Sequence, residues 1–176
     1  LGNLAGFDEA ERVEAAEMPE LEQWVLHRLA QIDQQLRKGY DGFDFQGVFQ
    51  TVFQFATVDL SAFYFDIRKD ALYCDAPDAL RRRAARTVLD LLFHRLVTWL
   101  APILPFTMED VWLSRFPSED DSVHLRDFPV TPAEWLNESL AAKWDTIRRI
   151  RRTVTAALEI KRTAKVIGAS LEAAPV

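Results

Sequence analysis

Cysteine is nearly absent from this sequence, which has 176 residues and a single cysteine, Cys74. One thiol can form neither an internal disulfide nor a cysteine-rich zinc site, and it is typical of proteins in a reducing cytoplasm. No apolar run reaches the roughly 18 residues that a membrane-spanning helix needs. We therefore expect a cytoplasmic protein without a membrane partner. Glycine is also scarce, and beyond Gly47 only Gly168 remains.

The sequence also lacks the groups from which a catalytic or metal site is assembled. Its three histidines are scattered along the chain. There is no glycine-rich phosphate loop, and no histidine–cysteine spacing typical of a metal site is present. We therefore predict no catalytic residue, no metal site and no cofactor in this chain, which we interpret as a helical module for binding or structure.

The net charge of −6 is unevenly distributed. Residues 1–22 hold seven acidic residues and one arginine, whereas residues 143–165 hold eight basic residues and two acidic ones. A polyanion responds to the local potential within a Debye length of about 10 Å, and not to the total charge. The basic stretch near the C-terminus is therefore compatible with RNA binding.

Apolar residues recur at helical spacing in five segments. The segments cover residues 20–38, 44–73, 78–100, 108–115 and 138–162, and the second could kink near Asp59. We predict an all-α fold, an antiparallel helical bundle with an extended C-terminal tail. The predicted boundaries are 1–19 for the end of a preceding helix and an acidic linker, 20–165 for the bundle, and 166–176 for the start of a junction region.

Capping residues support these helix ends. Gly39 and Gly42 follow the first helix, as expected of a helix stop. Thr107 is predicted to cap the fourth helix, with Phe106 packing on Val111 across its first turn. Residues 117–136 are predicted to be an irregular acidic connection, and the arginines at 81–86 are interpreted as exposed, solubilising charge.

RNA binding needs cations for phosphates and flat groups for unstacked bases. The last helix offers Arg148, Arg149 and Arg152 within about a third of its circumference, pointing away from its apolar stripe. A solvated face, with Asp145 pairing to an arginine, is the alternative interpretation of these residues.

Two further pairs are candidates for the same role. Arg68 and Lys69 lie near the end of the second helix, where surface ion pairing is the alternative. Trp24 and Arg28 are one turn apart on the first helix, where the tryptophan could stack on a base or belong to the core.

Five strings, in order along the chain, resemble one family. They are LGNLAGFD at 1–8, MPELEQWVLHRL at 18–29, FYFDIRKDALYCD at 63–75, LAPI followed by LPFTMEDVW at 100–112, and KVIGASLEAAPV at 165–176. The LPFTMEDVW string is similar to a motif shared by the class I synthetases for isoleucine, valine, leucine and methionine. The other strings resemble the anticodon-binding region of bacterial-type isoleucyl-tRNA synthetases.

The resemblance implies that this bundle docks on the anticodon arm of tRNA(Ile), and not on DNA, within a longer and monomeric enzyme. ATP and magnesium would then serve a catalytic domain elsewhere in that enzyme, whose two ATP-site strings are missing here. Zinc could belong to its C-terminal region, and the remaining domains of the enzyme would be partners of this chain. The alternatives are the valyl or leucyl counterpart of this bundle, and a helical protein-interaction scaffold that binds no nucleic acid.

Overall fold

The structure, a computed structural model, describes residues 1–169, 172 and 173. These residues form helices and turns, and none of them lies in a strand, which confirms the predicted all-α class. The helices are α1 (Glu20–Asp41), α2 (Phe45–Gln54), a π-helix (Phe55–Phe65), α3 (Asp66–Cys74), α4 (Leu80–Leu100), α5 (Pro105–Arg115) and α6 (Glu138–Thr163). None of these described helices is long and apolar enough to cross a membrane.

The chain divides into two compact units. The N-terminal unit, Leu1–Leu136, contains α1 to α5, and the C-terminal unit, Asn137–Val176, contains α6. Five of the eleven residues of the predicted extended tail, 166–176, lie outside the described residues.

The core of the N-terminal unit lies between α1 and its neighbours α2 and α4, while α3 packs on α4. The apolar residues of α1 at steps of three and four are fully buried, as the periodicity predicts. They are Leu21, Val25, Leu29, Ile32 and Leu36. Because this face is continuous, α1 forms the central element on which the other helices pack.

The predicted second helix is continuous from Phe45 to Cys74, but its middle third is a π-helix centred near Asp59. A π-helix has wider turns, with hydrogen bonds between residues five apart. Two adjacent pairs in this stretch, Asp59 with Leu60 and Phe63 with Tyr64, are buried. The expected irregularity near Asp59 is thus a change of helix type.

The prediction for the start of the fourth helix is wrong. The helix α5 begins at Pro105, with Leu104 at the N-cap, so Thr107 lies inside the first turn. Proline favours the first helical position because its fixed φ suits the helix and its missing N–H is not needed there. The ring of Phe106 is 86% exposed and does not pack on Val111.

Residues 1–19 form three short 3₁₀ turns, of which the first packs on α4 and the third on α1. The buried side chains of Leu4, Val13 and Met18 anchor this segment. Arg83 donates to the carbonyl of Glu11 at 3.2 Å, and Arg86 donates to the carbonyl of Ala5 at 3.1 Å. From the sequence, the arginines at 81–86 are interpreted as exposed, solubilising charge. For Arg83 and Arg86 that interpretation is wrong. These contacts could not be predicted because the partners lie more than 70 positions away in sequence.

Asp90 on α4 is a second point at which this segment is attached. Its two oxygens accept hydrogen bonds from Arg12 at 2.7 Å and from Arg115 on α5 at 2.5 Å, while Nε2 of His94 lies 3.5 Å away. Burial opposes ionisation of Asp90, but the hydrogen bonds from His94, Arg12 and Arg115 outweigh it and hold its pKa well below the usual value. One carboxylate thereby joins the N-terminal segment, α4 and α5.

The connection 117–136 is irregular, as predicted, with 3₁₀ turns at Val123–Leu125 and Ala133–Trp135. Arg95 of α4 holds its second half, donating to the carbonyl of Val130 at 3.0 Å. Its guanidinium lies 4.7 Å from the centre of the Trp135 ring. Burial lowers the pKa of Arg95 to about 10, which leaves it charged at neutral pH.

The turn that follows α1 has Phe43 in a left-handed conformation. Its φ is 58°, whereas Gly42, the C-cap, has φ −89°. The amide of Phe43 donates to Tyr40 at 3.1 Å and that of Asp44 donates to Gly39 at 2.9 Å, the pattern in which glycine usually takes the left-handed position. Gly39 is needed for close packing and not for the turn. A Cβ at this position would lie only 2.7 Å from the side chain of Val48.

We expect Phe43→Gly to raise the free energy of unfolding by roughly 0.5–1 kcal/mol, since relief of the left-handed strain exceeds the entropy that glycine adds to the unfolded chain. Urea unfolding of the chain measures the change. Phe43→Ala is the control, because it removes the ring and keeps the Cβ that causes the strain. Equal stability of the two variants would contradict this account.

Candidate nucleic-acid interface

Trp24 belongs to the core and not to a base-stacking surface. Only 1% of it is exposed, and its ring meets the ring of Phe63 edge-on at 5.3 Å. A base could reach it only by displacing the π-helix, so the stacking hypothesis for Trp24 is wrong. Its place beside Leu21 and Val25 on the buried face of α1 is the signal that favours the core.

Arg28, the predicted companion of Trp24, is bound to a buried acid. Its Nε and Nη2 each lie 3.1 Å from Oδ2 of Asp59, and its Nη1 lies 2.5 Å from the side chain of Gln31. The guanidinium is partly exposed, but leaving Asp59 for a phosphate would strip a buried carboxylate of its counter-ion. Arg28 therefore stabilises the packing of α1 against the π-helix.

Arg68 is likewise part of the interior. It binds Glu22 with two hydrogen bonds, at 2.5 and 2.7 Å, and its side chain is only 11% exposed. Glu22 has no exposed surface, and the hydroxyl of Tyr64 donates to it at 3.1 Å. Burial, together with the charge of Glu22, raises the pKa of Tyr64 well above its ordinary value and keeps that hydroxyl a donor. The hypothesis that Arg68 contacts RNA is wrong.

Lys69, the neighbour of Arg68, points to solvent. Its side chain is 58% exposed and pairs with the exposed Asp66 at 3.1 Å. Such surface pairs contribute about 0–1 kcal/mol and exchange readily with other partners. Of the predicted pair, only Lys69 remains a candidate for a phosphate contact.

The basic residues of α6 divide into two groups. Arg149 and Arg152 are exposed, and neither forms an ion pair within the described part of the chain. Arg148 is half-buried. The half-buried residues of this helix include Trp144, Arg148, Arg151 and Val154, which follow one another at steps of three or four and so share one face. The prediction that Arg148 points away from the apolar stripe, as Arg149 and Arg152 do, is therefore wrong.

The end of α6 adds further cations. Lys161, Arg162 and Lys165 are exposed, and Arg162 pairs with Glu159 at 2.6 Å. A helix of 26 residues is about 39 Å long, so Arg149 and Lys161 lie about 18 Å apart along its axis. The C-terminal end of a helix also favours positive charge, which stabilises this arrangement. The helix therefore carries exposed cations over about 18 Å of its length, with Lys161 about 120° around the axis from Arg149.

Comparison with known proteins identifies the family, and it confirms the resemblance read from the sequence strings. Residues 22–176 match the family described as the anticodon-binding domain of tRNA ligase. Over its whole length the chain is 70% identical to isoleucine–tRNA ligase of Ruegeria pomeroyi, 58% to that of Agrobacterium fabrum and 57% to that of Mesorhizobium japonicum. It spans 18% of the length of each of these relatives. This chain therefore belongs to the family of anticodon-binding domains of tRNA ligases.

Proposed function

We propose that this chain is the module of an isoleucine–tRNA ligase that binds the anticodon arm of tRNA(Ile). The identity of 70% over the whole chain to an isoleucine–tRNA ligase carries this proposal. The ligase would be monomeric and cytoplasmic, and its ATP, magnesium and zinc would serve domains outside this chain. The described residues hold no group of three His, Cys, Asp or Glu side chains arranged for a metal ion.

The exposed cations of α6 support the proposal physically. Contacts between arginine or lysine and phosphates are independent of base sequence, and they fix the position of a folded RNA on a protein. Arg149 and Arg152 can make such contacts without leaving an acid unpaired within the described part of the chain. This distinguishes them from Arg28 and Arg68, whose partners are buried.

We expect Arg149→Ala and Arg152→Ala, each made in the full-length ligase, to weaken tRNA(Ile) binding and to reduce its salt dependence. Each phosphate contact contributes about one unit to the slope of log K against log salt, so each variant should lose about one unit. Filter binding over a series of salt concentrations measures both quantities.

Lys38→Ala, which removes one exposed charge at the end of α1, is the matched control and should leave the slope unchanged. If the Arg149 and Arg152 variants match that control, the α6 surface is not where RNA binds. A helical protein-interaction scaffold would show a different result, because even the unaltered protein would not retain tRNA at low salt.

A further inference from the structure

Charged side chains are missing from the surface of α2 and the π-helix. Between Asp44 and Asp66 the only acidic or basic residue is Asp59, which is buried beside Arg28. In the whole sequence 27% of residues are charged, so one buried charge in the 21 positions from 45 to 65 is a marked departure. The solvent side of this segment is therefore uncharged over its full length.

Three phenylalanines on this uncharged side, and Phe43 just before it, are exposed to solvent. This phenylalanine row consists of Phe43 at 80% exposure, Phe45 at 47%, Phe49 at 41% and Phe53 at 59%. The last three are four positions apart and therefore share one face of α2. The rings of Phe49 and Phe53 stack with centres 6.0 Å apart, and those of Phe43 and Phe45 meet edge-on at 6.3 Å.

Single exposed apolar side chains are common on proteins, but a contiguous exposed patch marks a surface that binds a partner. An RNA partner is disfavoured here, because binding to a phosphate backbone requires cations and the solvent side of this segment has none. Enrichment in aromatic residues and depletion of charge are instead typical of the core of a protein–protein interface. The exposed amides of Gln46, Gln50 and Gln54 beside the rings fit a rim of hydrogen bonds.

We infer that the phenylalanine row is covered by an uncharged, apolar surface of another domain of the same ligase polypeptide. The chain spans 18% of the length of its relatives, so more than four fifths of such a polypeptide lies outside it. A domain attached to the same chain is present at a high effective concentration, which favours it over a separate protein. The inference rests on the chain being part of a longer ligase and goes beyond the proposed tRNA contact.

Hydroxyl-radical footprinting of the full-length ligase without tRNA tests this inference. Rates at Phe49 and Phe53, corrected for intrinsic reactivity, are compared with the rate at Tyr73, which is 72% exposed. We expect the two phenylalanines to react about tenfold more slowly than Tyr73, because an interface core excludes water. Rates at the two phenylalanines that are comparable to the rate at Tyr73 would overturn the inference, and so would protection that appears only after tRNA is added.

A substitution gives an independent readout. Phe53→Glu in the full-length ligase places a charge in the proposed interface and should raise the footprinting rate at Phe49 several-fold by opening the contact. Phe106→Glu is the matched control, since Phe106 is 86% exposed on α5 and lies outside the row. Equal protection of Phe49 in the two variants would overturn the inference. Neither measurement uses binding to α6, so a negative result leaves the proposed tRNA contact to be judged by its own test.

Discussion

Glu22→Ala is expected to lower the free energy of unfolding of this chain by about 3–5 kcal/mol, because it leaves a buried cation without its counter-ion. Glu22 has no exposed surface and accepts hydrogen bonds from Arg68 and Tyr64. After the substitution the guanidinium of Arg68 and the hydroxyl of Tyr64 both lose their acceptor. An unsatisfied buried donor costs about 1–3 kcal/mol, and a charged one costs more.

Urea unfolding followed by circular dichroism measures this loss. Lys69→Ala is the control on the neighbouring residue, because it breaks only the exposed pair with Asp66 and should cost less than about 1 kcal/mol. Replacing both partners, Glu22→Leu with Arg68→Met, should restore most of the stability, since an apolar pair of similar volume carries no desolvation cost. A Glu22→Ala variant as stable as Lys69→Ala would show that the ion pair does not hold α1 to α3.

Arg28 and Arg68, two arginines predicted to contact RNA, share one property: their partners are distant in sequence. Arg28 binds an acid 31 positions away, and Arg68 binds one 46 positions away. A run such as Asp66-Ile67-Arg68-Lys69-Asp70 shows only local charges, so it predicts a surface cluster. Whether an arginine meets RNA or a buried acid depends on which helices pack together, and the spacing of residues on one helix does not specify this.

Helix positions were more predictable than the site because they depend on local signals. The predicted segments 78–100 and 138–162 agree with α4 (Leu80–Leu100) and α6 (Glu138–Thr163) within two residues at each end. The start of α6 follows from Asn137, whose side chain accepts from the amide of Leu140 at 3.0 Å. The π-helix was not predictable, since its hydrogen bonds shift by one residue without any change in the apolar pattern.

The second large effect is expected at Asp90, where Asp90→Asn should lower the free energy of unfolding by about 3 kcal/mol. The asparagine keeps the shape of the side chain but removes the negative charge that Arg12, Arg115 and His94 share. The guanidinium of Arg115 lies 4.6 Å from the centre of the Phe93 ring and is largely buried, so it cannot recover its loss by turning to water. The N-terminal segment should also detach more easily, because Arg12 loses one of its two acids.

The dependence of stability on pH separates the charge of Asp90 from its shape. Its pKa is lowered from 3.8 in the folded chain, so the unfolded state takes up protons first as the pH falls. The stability that this lowered pKa contributes is therefore complete above about pH 5 and declines as the pH falls through 3.8 toward the folded value. In urea unfolding between pH 6 and pH 3, Asp90→Asn should lose less stability than the unaltered chain, whereas Asp110→Asn, an exposed control on α5, should lose as much. An acid dependence of Asp90→Asn as steep as that of the control would mean that Asp90 holds these cations through its shape alone.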